Sequence, residues 1–253
     1  MNLDSFQLVG RTAIVTGCNK GLGQGMAFAL AQAGADIVGI NSSAPKQTCT
    51  DIRAMGRRFL DLRADLSEAS GLADLVEKSL GLTGKIDILV NNAGTIRRSD
   101  AIDFSEKDWD DVISLNLKTG FFLAQAVARQ FIRQGTGGKI IYIASMLSFQ
   151  GGVRVPSYTA SKSGIIGITR ALANEWAAHG IQVNAIAPGY MATDNTAALQ
   201  ANPARNAAIL ARIPANRWGL PDDLAGPVVF LASSASNYVN GHTLAVDGGW
   251  LAR

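Results

Sequence analysis

A phenol and an amine stand four residues apart in SYTASKSG, residues 157–164, directly after Pro156. Proline suits the first helical position, since its missing N–H is one the helix leaves unpaired anyway. Positions i and i+4 share a helix face, so the spacing sets Tyr158 beside Lys162. A tyrosine ordinarily ionises near pH ~10, too high for a base at neutrality. An ammonium held beside it favours the phenolate and lowers that value. The pair reads as a proton-transfer site. Taken alone, however, the spacing is that of an aromatic and a lysine on a helix surface, and its meaning depends on the rest of the chain.

A second group of residues has the chemistry of phosphate binding. After the apolar run TAIVTG (12–17) comes CNKGLGQG, which places Gly17, Gly21 and Gly23 around Asn19, Lys20 and Leu22 at a strand-to-helix junction. Glycines there bend the turn, let a pyrophosphate approach the backbone, and let the helix pack close to its strand. The free N–H groups of the helix start then face the phosphates. An acid at the end of the second strand reads the ribose 2′-hydroxyl, and an arginine nearby accommodates a 2′-phosphate. The chain has GINSSAP (39–45), with Asn41 in that place and neither signature. Lys20 is the one basic residue in the turn, and without a second near Asn41 a dianionic phosphate would be poorly neutralised. The expected cofactor is therefore NAD, with NADP as the alternative.

The elements that must position these groups follow from hydrophobic patterning. Short apolar runs at 12–17, 35–41, 58–66, 85–94, 139–145, 181–189 and 242–249 alternate with Ala- and Leu-rich stretches such as GMAFALAQAG. Several runs are apolar on consecutive positions, as in strands covered on both faces. The alternation implies an α/β fold, a Rossmann-type doubly wound parallel sheet with helices on both faces. No linker or repeat interrupts it, so residues 1–253 read as a single domain. The strand-poor stretch after residue 190 is expected to form a substrate lid near 190–215.

Composition excludes other classes. With 47% hydrophobic and 17% charged residues, the 253-residue chain can bury a large core. No apolar run is long enough to span a membrane, and the N-terminal segment lacks the pattern of a signal peptide, so a cytoplasmic location is expected. Cys18 and Cys49 do not make a disulfide framework, and no metal site is expected. The net charge of +3 is scattered, with doublets only at Arg57–Arg58 and Arg97–Arg98, so no nucleic-acid surface is implied.

The spacing T-G-x-x-x-G-x-G, together with NNAG (91–94), SLNLKTG around Asn116, IYIASM around Ser145, YTASK, and APGYMAT (187–193), resembles the short-chain dehydrogenase/reductase family across essentially the whole chain. The resemblance implies that Tyr158 is the general acid/base and that Lys162 lowers its pKa and holds the nicotinamide ribose. It gives Ser145 the substrate oxygen and Asn116 a proton-relay water. It also implies cofactor contacts from Asp65 and Leu66 at the adenine, from Asn92, Ala93 and Gly94 beside the adenosine, and from Pro188, Gly189, Met191 and Thr193. Members of the family are usually homotetramers. Each catalytic role fits the bare chemistry, since oxidising an alcohol needs a base, an orienting donor and a hydride acceptor.

For the substrate, the loop MLSFQGGVRVPS between Ser145 and Tyr158 offers Arg154, and the loop after the fourth strand offers Arg97 and Arg98. Guanidinium forks fit carboxylates, which suggests a small hydroxy or keto acid, with Arg154 as the expected contact. The stretches IASMLSFQGG, RIPANRWGLPDDL and VDGGWLAR are similar to those of family members that oxidise deoxy sugar acids. The alternatives are an NADP-dependent 3-oxoacyl-carrier-protein reductase on the same fold, or a non-catalytic dinucleotide-binding module. The module would have lost Tyr158 or Lys162.

Overall fold

The apolar runs form one seven-stranded sheet in the computed structural model, which describes residues 3–253. The strands are β1 (Thr12–Thr16), β2 (Asp36–Asn41), β3 (Phe59–Arg63), β4 (Ile88–Asn91), β5 (Gly138–Ile143), β6 (Ile181–Pro188) and β7 (Thr243–Val246). They lie in the order β3-β2-β1-β4-β5-β6-β7, every pair parallel. The doubly wound sheet expected from the patterning is the observed architecture.

The helices are α1 (Gly21–Gln32), α2 (Lys46–Ala54), α3 (Leu72–Ser79), α4 (Glu106–Ile113), α5 (Gly120–Gln134), α6 (Pro156–Trp176), α7 (Ala197–Ala201), α8 (Pro203–Arg212) and α9 (Ala225–Ala232). Successive side chains of a strand point to opposite faces, so Ile14 and Val15 serve different cores. On one face Val76, Leu123, Val127, Phe131 and Ile165 of α3, α5 and α6 pack on Ile14, Leu89 and Ile140. On the other, Met26, Leu30, Ile52 and Val228 of α1, α2 and α9 pack on Val15, Ile37 and Val90. A third, small cluster of Met146, Ile209, Ile213 and Trp250 ties α8 to the segment after β5. None of the helices among the described residues is long and apolar enough to cross a membrane.

Among the strands that end before their apolar runs, β3 and β4 each do so for a local reason. β3 stops at Arg63 because the Asp65 carboxylate accepts the Ser67 N–H at 2.8 Å and turns the chain. β4 stops at Asn91 because Asn92 and Ala93 donate their N–H groups to the Thr16 hydroxyl, both at 2.9 Å, instead of continuing the ladder. This happens where the strand order reverses between β1 and its neighbours, and such a crevice at the carboxyl ends of the strands is where open α/β sheets bind ligands. From β6 the chain makes its long excursion through α7 and α8, returning by a single bridge between Met191 and Gly219.

At the opposite edge of the sheet Lys139 is buried, its ammonium held by the Ser236 hydroxyl at 3.3 Å and the Asn237 amide oxygen at 2.9 Å. Desolvation, helped by the charge of Arg11, brings its pKa from 10.5 down to about 8. Below pH 8 the folded and unfolded chains both carry the proton, and the folded state bears the full cost of burying it. That cost fades as pH rises from about 8 to 10.5, so this residue makes stability rise across that window. Urea denaturation of the wild type and Lys139→Met between pH 7 and 11 should show the variant's relative advantage shrinking as pH rises; a pH-independent difference would contradict the assignment.

Candidate active site

The glycine turn sits on the carboxyl edge of the sheet, between the ends of β1 and β4. Gly17 has φ +65°, open to glycine at little cost, and a Cβ added at Gly23 would sit on the Gly17 carbonyl and the Asn92 amide. The Asn92 amide donates to the carbonyls of Thr16 at 2.9 Å and Gly17 at 3.2 Å, which fixes the turn from below. Lys20 precedes α1 in an extended conformation and makes no side-chain cap, so the first N–H groups of α1 have no side-chain oxygen at that position. A cradle that only hydrogen could line, facing an uncapped helix start, fits the pyrophosphate of a dinucleotide.

All the cofactor residues expected from the sequence reach this edge. Gly17, Asn19, Lys20, Gly21, Leu22 and Gly23 form the turn and the start of α1; Asp65 and Leu66 follow β3; Asn92, Ala93 and Gly94 follow β4. Pro188 ends β6, with Gly189, Met191 and Thr193 just beyond it. Asn41 is the exception in orientation. It ends β2, but its side chain is buried, with Nδ2 donating to Cys18 Sγ at 3.6 Å and Oδ1 without a donor. Gly39, two residues earlier on the same face, leaves the room into which the amide folds. Burial pushes the Cys18 thiol up to about 11 against the lowering effect of this amide contact, so it stays a thiol at neutral pH.

Ser145, Tyr158 and Lys162 converge where β5 ends and α6 begins. Ser145 is buried and follows the strand; its hydroxyl accepts the Leu147 N–H at 3.1 Å and bonds the Tyr158 phenol. Ser148 fastens this turn to α6 by donating to the Lys162 carbonyl at 2.6 Å. Tyr158 is partly buried, and desolvation raises its pKa, opposed by the Ser145 hydrogen bond and by the charge of Arg98. The sequence argument gives that lowering to Lys162, which lies beside the same ring. The Lys162 ammonium is buried, 5.6 Å from the centre of the Tyr158 ring, and donates to the Ile143 carbonyl at 2.6 Å. Burial brings its own pKa down to about 8.

Asn116 lies in a stretch, Ser114–Thr119, that is wound as a π-helix between α4 and α5. Its Oδ1 accepts the Thr95 N–H at 2.8 Å, and its Nδ2 donates to the Thr95 carbonyl at 2.9 Å and the Ser161 hydroxyl at 3.2 Å. It thereby clasps the loop after β4 to α6. Beside it is a cavity of about 10 Å³ lined by Asn116, Thr119, Thr16 and Lys162, among others, and the Thr119 hydroxyl has no partner. That is close to the space of one water, with polar groups on several sides.

The arginines divide sharply. Arg154 has φ +66° and pairs with Asp100 at 3.0 Å, so the expected contact with a substrate carboxylate is not prepared there. Arg97 is held by Asp108 and Asp111 at 3.3 and 3.4 Å. Arg98 has no acidic partner among the described residues; it donates to the Asn195 carbonyl at 3.4 Å and acts on Tyr158. Sequence reasoning also passed over Arg63. The β2–β3 register sets it opposite Asn41, and its Nη2 donates to the Ser42 carbonyl at 2.6 Å.

The chain belongs to the short-chain dehydrogenase/reductase family: residues 17–251 match the family described as enoyl-(acyl carrier protein) reductase. It is an NAD(P)-dependent oxidoreductase of that family, acting on CH–OH groups. Among its relatives, the chain is 68% identical to 2-dehydro-3-deoxy-D-gluconate 5-dehydrogenase of Dickeya dadantii (strain 3937), over all of both chains. It is 66% identical to the protein of the same description from Escherichia coli (strain K12), again over all of both. A solved structure described as a 2-deoxy-D-gluconate 3-dehydrogenase of Agrobacterium tumefaciens, with NADP bound, matches at 54% identity and a TM-score of 0.93, covering 98% of this chain and 99% of that one.

The cradle gives a direct test. Gly23→Ala puts a methyl group where the Gly17 carbonyl lies, so the turn must open. Overpacking of this kind costs ~1–3 kcal/mol, and titration with NADH followed by fluorescence should show affinity at least ~10-fold weaker than wild type. Unchanged affinity would mean that the dinucleotide does not use this turn.

Proposed function

We propose that the protein interconverts a secondary alcohol and a ketone on a small deoxy sugar acid, the reaction being that of a 2-dehydro-3-deoxy-D-gluconate 5-dehydrogenase. The observation that carries this reading is Arg98, a guanidinium with no acidic partner among the described residues, close enough to Tyr158 to bias its ionisation. The names of its 68%- and 66%-identical relatives agree with it.

In this reading Ser145 orients the substrate oxygen, and Tyr158 takes the hydroxyl proton in oxidation and returns it in reduction. The phenolate so needed is favoured by the Ser145 hydroxyl and the Arg98 charge. Lys162, released from the Ile143 carbonyl, is placed to hold ribose hydroxyls and to add a third stabilising interaction. Asn116 keeps the floor of the relay cavity in place. Arg98 grips the carboxylate with one edge of its fork while reaching the Asn195 carbonyl of the lid with the other. When bound, the nicotinamide supplies the hydride acceptor that no side chain can provide.

The remaining features fit one catalytic domain over 1–253, with 190–215 closing over the substrate. The exposed apolar face of α5, with Phe122 and Ile132 beside a groove of about 290 Å³ shared with α6, supports association into a homotetramer. A cytoplasmic enzyme completes the reading.

Two variants test it. Tyr158→Phe removes only the hydroxyl, so it should fold and bind dinucleotide normally while turnover falls ~10²–10⁴-fold. Retained turnover with an unchanged pH profile would remove Tyr158 from the mechanism. Arg98→Met should weaken apparent substrate binding by ~1.5–3 kcal/mol for the sugar acid but not for its uncharged analogue. Losing the positive charge also destabilises the phenolate, so the pH–rate profile for oxidation should move to higher pH. Equal discrimination between acid and analogue in both proteins would send the carboxylate elsewhere.

A further inference from the structure

We propose that Ser148 is a positioning residue for the proton transfer: its hydroxyl holds the turn that carries Ser145 against α6, and so sets the contact between the Ser145 hydroxyl and the Tyr158 phenol. This rests on the catalytic reading above. Met146–Ser148 is a single 3-10 turn, and Ser145 opens it. A serine hydroxyl can donate one hydrogen bond and accept others, and Ser148 does both. It accepts the Ser145 N–H at 3.2 Å and donates to the Lys162 carbonyl at 2.6 Å. The backbones of two catalytic residues are thus joined through one oxygen.

The other contacts decide what moves when this link is removed. α6 is held independently of it: the Ser161 hydroxyl donates to the Tyr158 carbonyl at 2.8 Å and accepts the Asn116 amide at 3.2 Å. Ile165, Ile166 and Leu172 bury the same helix against the sheet. The helix therefore keeps its place, and the short turn is the part free to shift. A second tie runs from the Lys162 ammonium to the Ile143 carbonyl at 2.6 Å, two residues before Ser145. That tie ends when Lys162 turns to the ribose hydroxyls, which leaves the alignment of Ser145 in the loaded enzyme to Ser148. The charges acting on Tyr158 are Arg98, from the loop after β4, and Lys162, 5.6 Å from the ring centre on α6. Ser148 bonds neither of these side chains. Burial raises the pKa of the phenol, and the Ser145 hydrogen bond is the larger of the two influences that oppose it. Control of that one hydrogen bond is the lever that Ser148 has on the reaction.

The test compares wild type, Ser148→Ala and Ser148→Thr as holoenzymes acting on 2-dehydro-3-deoxy-D-gluconate, with Tyr158→Phe alongside. Misplacing a reacting group by about 1 Å costs up to ~10²-fold, so kcat of Ser148→Ala should fall roughly 10- to 100-fold while KM changes far less. NADH affinity should be unchanged, because the hydroxyl lies outside the glycine cradle. The pH–rate profile for oxidation should move to higher pH, since a displaced Ser145 no longer favours the phenolate. Ionisation of Tyr158 in the NAD complex, read as the ultraviolet difference absorption that Tyr158→Phe lacks, should move the same way without any turnover. Ser148→Thr keeps the hydroxyl and should recover most of the turnover. Normal turnover in Ser148→Ala overturns the proposal. So does lower turnover with both pH readouts unmoved, or with Ser148→Thr equally impaired, either of which assigns the effect to packing. Tyr158→Phe separates the two readings: if it retains turnover, the catalytic reading fails and this one falls with it. If it loses turnover while Ser148→Ala behaves as wild type, only the role of Ser148 is lost.

Discussion

One hydroxyl holds the working edge of this protein together. Thr16, buried at the end of β1, accepts the N–H groups of both Asn92 and Ala93 and donates to the Val90 carbonyl at 3.4 Å. It thus spends its donor and two acceptor sites on the end of β4. The paired register of β1 and β4 ends at Val15 opposite Val90, and the tie follows directly on it. The tie lets Asn92 reach back under the glycine turn, which in turn sets the level of α1. Replacing the hydroxyl by a methyl group would leave the part-buried Ala93 N–H without this acceptor, at a cost of about 1 kcal/mol, while the Asn92 N–H keeps the Val90 carbonyl at 3.1 Å.

Above that edge, charge is arranged by pairing. Arg97 and Arg154 are bound by carboxylates, while among the described residues Arg98 and Arg63 meet only carbonyl oxygens. A carbonyl satisfies hydrogen bonds without cancelling charge, so these two cations keep their attraction for an anion. The neutralised pair shapes loops, while Arg98 and Arg63 keep an uncancelled charge at the strand ends.

The sheet was legible in the sequence because its central strands are buried on both faces and read as unbroken apolar runs: TAIVTG, ADIVGIN and KIIYIAS sit where β1, β2 and β5 lie. The glycine turn and the Tyr158–Lys162 spacing were legible for the same reason, since each is a local geometric requirement. What escaped depends on partners distant in the chain. Arg63 comes to lie opposite Asn41 only through the strand register, which no local pattern records. Arg97 and Arg98 are adjacent, yet one turns to α4 and the other to the Asn195 carbonyl. Asn41 was assigned to the cofactor by position, but the space left by Gly39 decides where its amide goes. Lys162 is four residues from Tyr158 as the helix demands, while burial directs its ammonium to a strand carbonyl instead.

The wide turn at Ser114–Thr119 carries a cost of its own. A π-turn holds one residue more than the α-helical turn it replaces, and its hydrogen bonds are less favourable. Shortening the segment by one residue would regularise the helix running from α4 into α5. It would also rotate one half against the other by about 100°, carrying Asn116 away from Thr95 and Ser161 or dragging the apolar stripe of α5 off the sheet. Selection for stability and selection for activity therefore pull in opposite directions at this one place. An ancestor improved only for thermal resistance would tend to lose the irregularity, and the clasp along with it.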